Sequence, residues 1–484
     1  MILASSVLFP LLSALFIVIL RKAKRTLLLS FGGILQALST ALLLSVAFFP
    51  ENTLTLFRAS DKIVFALRPD GTAKFFCAII AIGWLLIMLY ATVITKSEAS
   101  EPRFYISMFL SEAAIVGAAL ASDLVTMYVF YELLTVCLLP LVFRAKGNTS
   151  RRATVRYLSY SITGALLSLF GILTLASATP TMTYTVGGVG LEASRTVLCA
   201  LFCLVLGFGV KAGLYPLHGC FISVSAVSTA PVSALLSGLV TKAGILAVIR
   251  VLYFIASPSL LRGTWVQTTL LILSLTAILV GVFLAYSERI LKKRLAYLTV
   301  SRVSYALVGI LLFTAVGLRG AFLQIASHAA AGTALFLFAG AVSHVTGETE
   351  IRALYGIGKK LPVMTLFFAI STLSMIGIPP TGGFLSTWTI STAALAGLSS
   401  PLSYIIPVTL LLSALLTAGS LLPISVHAFY SGDRINPAFV EPNVKKEPFL
   451  LALPIILLAA FAVLFGLPAG WTSHLADLIV GTIL

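Results

Sequence analysis

The chain has 484 residues, of which 59% are hydrophobic and only 10% charged, and its mean hydropathy is +1.08. A soluble globular protein carries about 25% charge, so this composition excludes a water-facing surface and specifies a polytopic membrane protein. The net charge of +16 does not point to nucleic acid, because the aromatic and basic stripes of a nucleic-acid binder are absent and lysine and arginine gather in cytoplasmic loops of membrane proteins.

About 20 apolar residues cross a bilayer. Read in chain order, fourteen segments meet that length: 2–20, 27–49, 73–95, 104–121, 124–143, 153–176, 196–217, 226–251, 265–287, 295–316, 320–345, 361–390, 402–429 and 449–469. The first is followed, not preceded, by a basic cluster and has no small-residue cleavage site, so it reads as a retained helix. Ala121-Ser122-Asp123 forms a short turn between the fourth and fifth. With the N-terminus outside, 21 of the 32 lysines and arginines follow odd-numbered spans and 7 fall on the other side. Lys74, Lys211, Lys242 and Arg302 lie within spans or near their ends. This asymmetry predicts both termini on the non-cytoplasmic side of the cell (inner) membrane. The polar segments 50–72 and 430–448 are too short to fold alone.

Two spans are interrupted. The seventh carries KAGLYPLHG, with Pro216, and the twelfth carries IGIPPTGGF, with Pro379 and Pro380. Each is fourth in a set of five, spans 4–8 and 9–13. Five is odd, so a repeated unit is inverted relative to its copy. Paired interruptions mark an inverted-repeat transporter and its ion site; kinks at prolines are the simpler alternative. The predicted architecture is all-α. Helices 1–3 occupy 1–100, a first five-helix repeat 101–252, a second 263–430, and a loop with helix 14 occupies 431–484.

An ionisable group at bilayer depth costs at least ~2.5–3.5 kcal/mol, so it is a functional candidate by default. In the first half these are Glu112, Glu132, Lys211 and Lys242. One acid and two amines on three spans fit a proton relay better than a static ion pair, which adds little stability when buried. Opening the Glu132–Lys211 contact would strip the lysine of its counter-ion and release its proton toward Lys242. Glu112 is either a second acid of the relay or a partner for a neighbouring subunit. The second half offers Arg302, His328, His344 and His427. His328 is the deepest histidine and a candidate proton carrier, whereas His344 and His427 lie near span ends and read as structural. His218 lies in the first break and joins Glu112 and Arg302 as an accessory candidate.

The five cysteines, Cys77, Cys137, Cys199, Cys203 and Cys220, sit in or beside apolar segments and read as small buried hydrophobes. No cysteine–histidine cluster has metal-site spacing. No nucleophile–base pair, phosphate loop or cofactor motif is present. The chain is therefore expected to hold no cofactor, metal or redox centre, whatever complex it serves.

The stretches SDLVTMYVFYELLTV, GFGVKAGLYPLHGCF, APVSALLSGLVTKAGILAVIR, KRLAYLTVSRVSYALVGI and LPVMTLFFAISTLSMIGIPPTGGFLSTW resemble the antiporter-like subunits of respiratory complex I. They are similar above all to the D subunit of Mrp-type cation/proton antiporters and its relatives in membrane-bound hydrogenases. The resemblance covers about 100–430. It implies fourteen helices, inverted repeats and a midplane proton path in which Glu132, Lys211, Lys242 and His328 match the family's relay. It also implies homologous antiporter-like and small membrane subunits as partners, in an Mrp-type antiporter or an ion-translocating oxidoreductase. The cargo is protons, with sodium as a second candidate. The departures lie in the second half. Thr333 and Thr387 stand where relatives carry lysine, the thirteenth span has no acid or lysine, and Arg302 takes a glutamine-like position. They leave room for a structural subunit that has lost pumping. A stand-alone solute transporter of another inverted-repeat fold is a third reading.

Overall fold

The computed structural model describes residues 2–22, 24–58, 64–95, 101–144, 148–398, 401–430, 449–467 and 471–484. Lys62, Lys96, Lys146, Arg434, Lys445 and Lys446, which enter the charge asymmetry, lie outside them. So does most of the 430–448 segment.

The chain begins with α1 (Ile2–Ile19) and α2 (Arg25–Ser45). An antiparallel hairpin follows, β1 (Leu54–Arg58) with β2 (Val64–Leu67). An all-α reading did not anticipate this hairpin. Then come α3 (Gly71–Ile94), α4 (Glu101–Leu120), α5 (Leu124–Val142), α6 (Asn148–Ala178) and α7 (Arg195–Ala212). Side-chain oxygens start several of these helices by accepting otherwise unpaired backbone N–H groups. Asp70 caps α3 through Ala73 N, and Asp123 caps α5 through Val125 N and Thr126 N.

Helix α7 stops five residues short of the predicted end of its span. Its last turn holds Lys211, and Gly213 follows with φ +81°, a left-handed conformation that glycine adopts without steric cost. The chain turns through a cis Tyr215–Pro216 bond into the short α8 (Gly219–Val227). The next span runs from Ala230 to Ala256. It comprises α9 (Ala230–Leu235), a π-helical stretch at Leu236–Val240, α10 (Thr241–Ile249) and a second π stretch at Arg250–Ala256. Such widened turns recur at functional sites because they re-aim the residues around them.

After the short α11 (Pro258–Leu261) come α12 (Trp265–Ser287), α13 (Leu291–Leu311) and the unbroken 32-residue α14 (Ala315–Thr346). The predicted twelfth span is two helices, α15 (Pro362–Ile376) and α16 (Gly382–Gly397). The segment between them contains Gly377 at φ +90° and a cis Pro379–Pro380 bond. The chain ends with α17 (Leu402–Phe429), α18 (Phe449–Leu464) and α19 (Trp471–Gly481), the last of which the sequence pattern did not predict.

Among the described residues twelve helical segments are long and apolar enough to cross a membrane, and α15 and α18 are shorter apolar helices. The chain is a polytopic membrane protein. The Ala230–Ala256 span and α14 are buried within it, while α1, α2, α6 and α17 turn large apolar side chains outward, such as Leu12, Leu166 and Leu411. Lipid solvates such a face at no cost, so the core can be reserved for polar groups. The cysteines are free. Cys77 and Cys220 are buried as expected, but Cys199 is exposed, because its helix face turns outward.

One buried ion pair ties the two ends of this core together. Arg250, with no exposed surface, donates to both oxygens of Asp70 at 2.6 and 2.9 Å. Arg68 bridges Asp70 to the Tyr184 carbonyl, and the Arg250 guanidinium lies over the Tyr184 and Phe254 rings. The start of α3 is thereby clamped to the end of the central span. Burial alone would raise the Asp70 carboxyl, but Arg250 and the hydrogen bonds hold it below the usual carboxylate range. The stabilisation is present above about pH 4 and is lost only as pH falls through the depressed value. Asp70→Asn leaves the guanidinium buried without a counter-charge and should destabilise the protein by about 3–5 kcal/mol. Thermal unfolding in detergent should show it, and Asp70→Leu combined with Arg250→Met should recover much of the loss.

Candidate functional site

Lys211 ends α7 beside the first break and is 6% exposed. Its Nζ donates to the Tyr131 carbonyl at 2.5 Å and lies 3.4 Å from the centroid of the Tyr131 ring. The Glu132 carboxylate of α5 is 3.5 Å away, at a partly exposed position, and also accepts from Thr135. The ammonium therefore has a close neutral acceptor, a π face and a looser carboxylate. Such a contact can open without leaving the lysine unsolvated. Tyr131 is itself fixed by donation from its hydroxyl to the Phe208 carbonyl of α7.

Lys242 lies two residues beyond the first π stretch and is 2% exposed. Its Nζ donates to the Ser237 carbonyl at 2.7 Å and to Thr241 Oγ1 at 3.3 Å. Its remaining partner is Nδ1 of His328 on α14, at 2.7 Å. No carboxylate forms an ion pair with Lys242 among the described residues. His328 is 3% exposed, and its Nε2 has no hydrogen-bond partner among them. The π stretch exposes the Ser237 carbonyl to the lysine one turn later, which a regular helix would have used internally.

The lysines sit on adjoining helices. A β-carbon at Gly244 would fall 2.4 Å from Ala212 N, so only glycine lets α10 pack against the residue next to Lys211. The hydrogen bonds of Lys211 run to Tyr131 and those of Lys242 to Ser237, Thr241 and His328, so the two pairs are separate in this state.

The remaining candidates are distributed around this centre. Glu112 is fully buried and accepts from Gln36 and Ser39 of α2, both at 2.9 Å. The Glu112 carboxyl faces the chain's own interior, its bonded oxygen accepts from α2 and not from the relay lysines, and its other oxygen has no hydrogen-bond partner among the described residues. Arg302, 2% exposed on α13, donates to Thr417 Oγ1 of α17 at 3.1 Å and lies over its own neighbour Tyr305. His218 stacks on Tyr215 within the first break. Pro216 lies in the α7–α8 break and Pro379 and Pro380 in the α15–α16 break. Thr333 turns back to the Ala329 carbonyl, and Thr387 to the Gly383 carbonyl. His427 lies tilted against the Tyr355 ring near the end of α17, with the ring centroids 4.6 Å apart.

A set of polar contacts missed by charge-based reading lies about one turn along α14 from His328. Gln324, one turn earlier on α14, donates to the Arg302 carbonyl at 3.2 Å and accepts from Ser386 at 2.5 Å. Ser327 meets Ser374 at 3.2 Å, and Ser301 meets Ser413 at 3.3 Å. Polar residues in the middle of apolar spans, such as Gln36 and Gln324, were the available signal. The Tyr131 and Ser237 carbonyls left no trace in sequence, since every residue has one. Among the described residues no three His, Cys, Asp or Glu side chains gather as a metal site.

The family described as NADH:quinone oxidoreductase/Mrp antiporter, transmembrane, matches residues 121–417, which include Glu132, Lys211, Lys242, Arg302 and His328. The chain belongs to this family. It is 30% identical over 410 residues to the D subunit of the Na(+)/H(+) antiporter of Alkalihalophilus pseudofirmus, covering 83% of this chain and 80% of that one. It is 31% identical over 418 residues to the N subunit of the NADH-quinone oxidoreductase of Desulforudis audaxviator, covering 82% and 81%. Its fold matches a chain of the Mrp complex from Dietzia sp. with a TM-score of 0.87 at 21% identity, over 99% of this chain and 97% of that one. A chain of the archaeal membrane-bound sulfane sulfur reductase matches with a TM-score of 0.85 at 20% identity, over 100% and 99%.

His328→Leu removes the histidine partner of Lys242. A charge-assisted hydrogen bond is worth about 1.5–3 kcal/mol, so proton transport by the assembled protein in vesicles should fall by more than about tenfold. Thr333→Ser, which keeps the hydroxyl, should leave it near wild type.

Proposed function

We propose that this chain is a proton-translocating, antiporter-like membrane subunit of a multisubunit complex, and that protons move through Glu132, Lys211, Lys242 and His328. The observation that carries the reading is the 2.7 Å contact between Lys242 Nζ and His328 Nδ1. Two nitrogens at that distance need one donor and one acceptor. The ammonium donates to a neutral ring, or a protonated ring donates to a neutral amine. When charged, the pair holds its one extra proton between two sites. Two protons at once would place like charges in contact at low dielectric.

The steps follow from the geometry. While Glu132 is close, Lys211 keeps its proton. When that contact loosens, the ammonium has only the Tyr131 carbonyl and ring, and its proton passes toward Lys242. As a proton arrives at Lys242, the shared one leaves through His328, whose Nε2 has no hydrogen-bond partner among the described residues, so the pair does not hold two at once. The break after Ala212 frees backbone groups from the helix ladder, and such backbone is tolerated at membrane depth where it is buried in protein or lines a cavity.

The chain has two inverted five-helix repeats, 101–252 and 263–430, within about fourteen spans, supported by the parallel positions of the breaks after α7 and α15. It sits in the cell membrane with both termini outside, supported by the lysine and arginine asymmetry. Its partners are homologous antiporter-like subunits and small membrane subunits, supported by the multisubunit assemblies named for its structural relatives. Sodium is the second candidate cargo, since relatives are named as Na(+)/H(+) antiporter subunits. The reading requires no cofactor in this chain.

A second reading, a structural subunit with lost pumping, is favoured by one observation. α15, α16 and α17 contain no Asp, Glu, Lys or Arg. The two readings separate in one experiment, proton-coupled transport by the complete complex in proteoliposomes. Lys211→Ala should abolish transport while the complex still assembles. Undiminished transport in the assembled variant removes the relay and leaves the structural reading.

A further inference from the structure

Past His328 the polar contacts change character. On the Lys211 side every step has a group that takes up and releases a proton. On the far side α15, α16 and α17 supply hydroxyls but no acid or amine at depth. Ser327, Ser374, Ser386 and Gln324 supply those contacts. A chain of hydroxyls and amides with enclosed water would still conduct protons if nothing opposed them.

Arg302 adjoins those contacts. Its backbone carbonyl accepts from Gln324, and its guanidinium reaches Thr417 of α17. It is 2% exposed, and among the described residues its Nε has no hydrogen-bond partner and no carboxylate forms an ion pair with it. A guanidinium does not give up its proton in proteins, so Arg302 cannot relay one. A buried cation with no counter-charge is costly to keep, and Tyr305 and Thr417 offer only partial compensation. Its field, unlike that of a lysine, is permanent. A fixed arginine in a pore repels protons and other cations.

We propose that Arg302 is an electrostatic barrier that closes the second half of the chain to protons, so that the path ends at the Lys242–His328 pair. The inference rests on the relay reading for where the path begins. It adds that Thr333 and Thr387 are not gaps in a working channel. Thr387 follows Ser386 on α16, on the far side, where an amine would have nothing to receive, whereas Thr333 lies against Gly238 of the central span. The proton must then leave the His328 pair toward a neighbouring element.

The test is passive proton flux into proteoliposomes holding the complete complex, driven by a potassium diffusion potential. Arg302→Gln keeps polarity and removes the charge. One fixed charge at about 10 Å in a protein-like dielectric is worth about a tenfold change in rate. The flux should therefore rise by about tenfold or more. Adding Lys211→Ala to Arg302→Gln should return it to the wild-type level. Thr387→Lys with Arg302 in place should leave the flux at the wild-type level. Wild-type flux in assembled Arg302→Gln overturns the proposal. So does raised flux in Thr387→Lys, a variant that reads the barrier even where Arg302→Gln fails to assemble. Failure of the relay reading is seen separately, as undiminished coupled transport in the Lys211→Ala single variant.

Discussion

A positive charge buried in a helix bundle must be shared, paired or fixed, and the rest of this structure depends on which of the three each cation gets. Lys242 has no described carboxylate partner, so it shares its proton with His328. Lys211 has a loose carboxylate and a close carbonyl, so its pairing is conditional. Arg250 is locked to Asp70 by two short bonds and is static. Arg302 has no described counter-charge, and its proton does not leave. The four cations lie within one apolar framework, yet their partners give them four different roles.

The backbone irregularities serve those roles. The π stretch at Leu236–Val240 frees the Ser237 carbonyl for Lys242. The left-handed Gly213 ends α7 directly after the turn that carries Lys211. Gly244 brings the two lysine-bearing helices into backbone contact. The Asp70–Arg250 clamp lies at the other end of the same span and holds it while the middle carries mobile charge. The Ser237 carbonyl is free for Lys242 because the π stretch takes it out of the helix ladder, whereas the Tyr131 carbonyl accepts from Lys211 within the regular α5.

Much of this was legible in sequence, for a physical reason. A charge in an apolar span is rare, so Glu132, Lys211, Lys242 and His328 stood out by cost alone. Prolines beside glycines flagged both breaks, although the end of α7 at Ala212 depends on a glycine dihedral that no hydropathy window reports. What stayed hidden was who faces whom. Glu112 was legible as an accessory acid, but not that Gln36 and Ser39 bond it. The pairing of Lys242 with His328, 86 residues apart, depends on how two buried helices face each other. Gln324 gave a signal, but its partner Ser386 and the Thr417 contact of Arg302 did not, because hydroxyls in membrane helices usually bond their own backbone. Many here do so, including Thr333 and Thr387.

The central claim is that Lys242 must release a proton and not merely carry a charge. Lys242→Arg tests this most directly, because arginine keeps the cation and its hydrogen bonds but holds its proton. In the assembled, reconstituted complex the account predicts that Lys242→Arg loses proton-coupled transport as completely as Lys242→Ala. Transport by Lys242→Arg at the wild-type rate would contradict it.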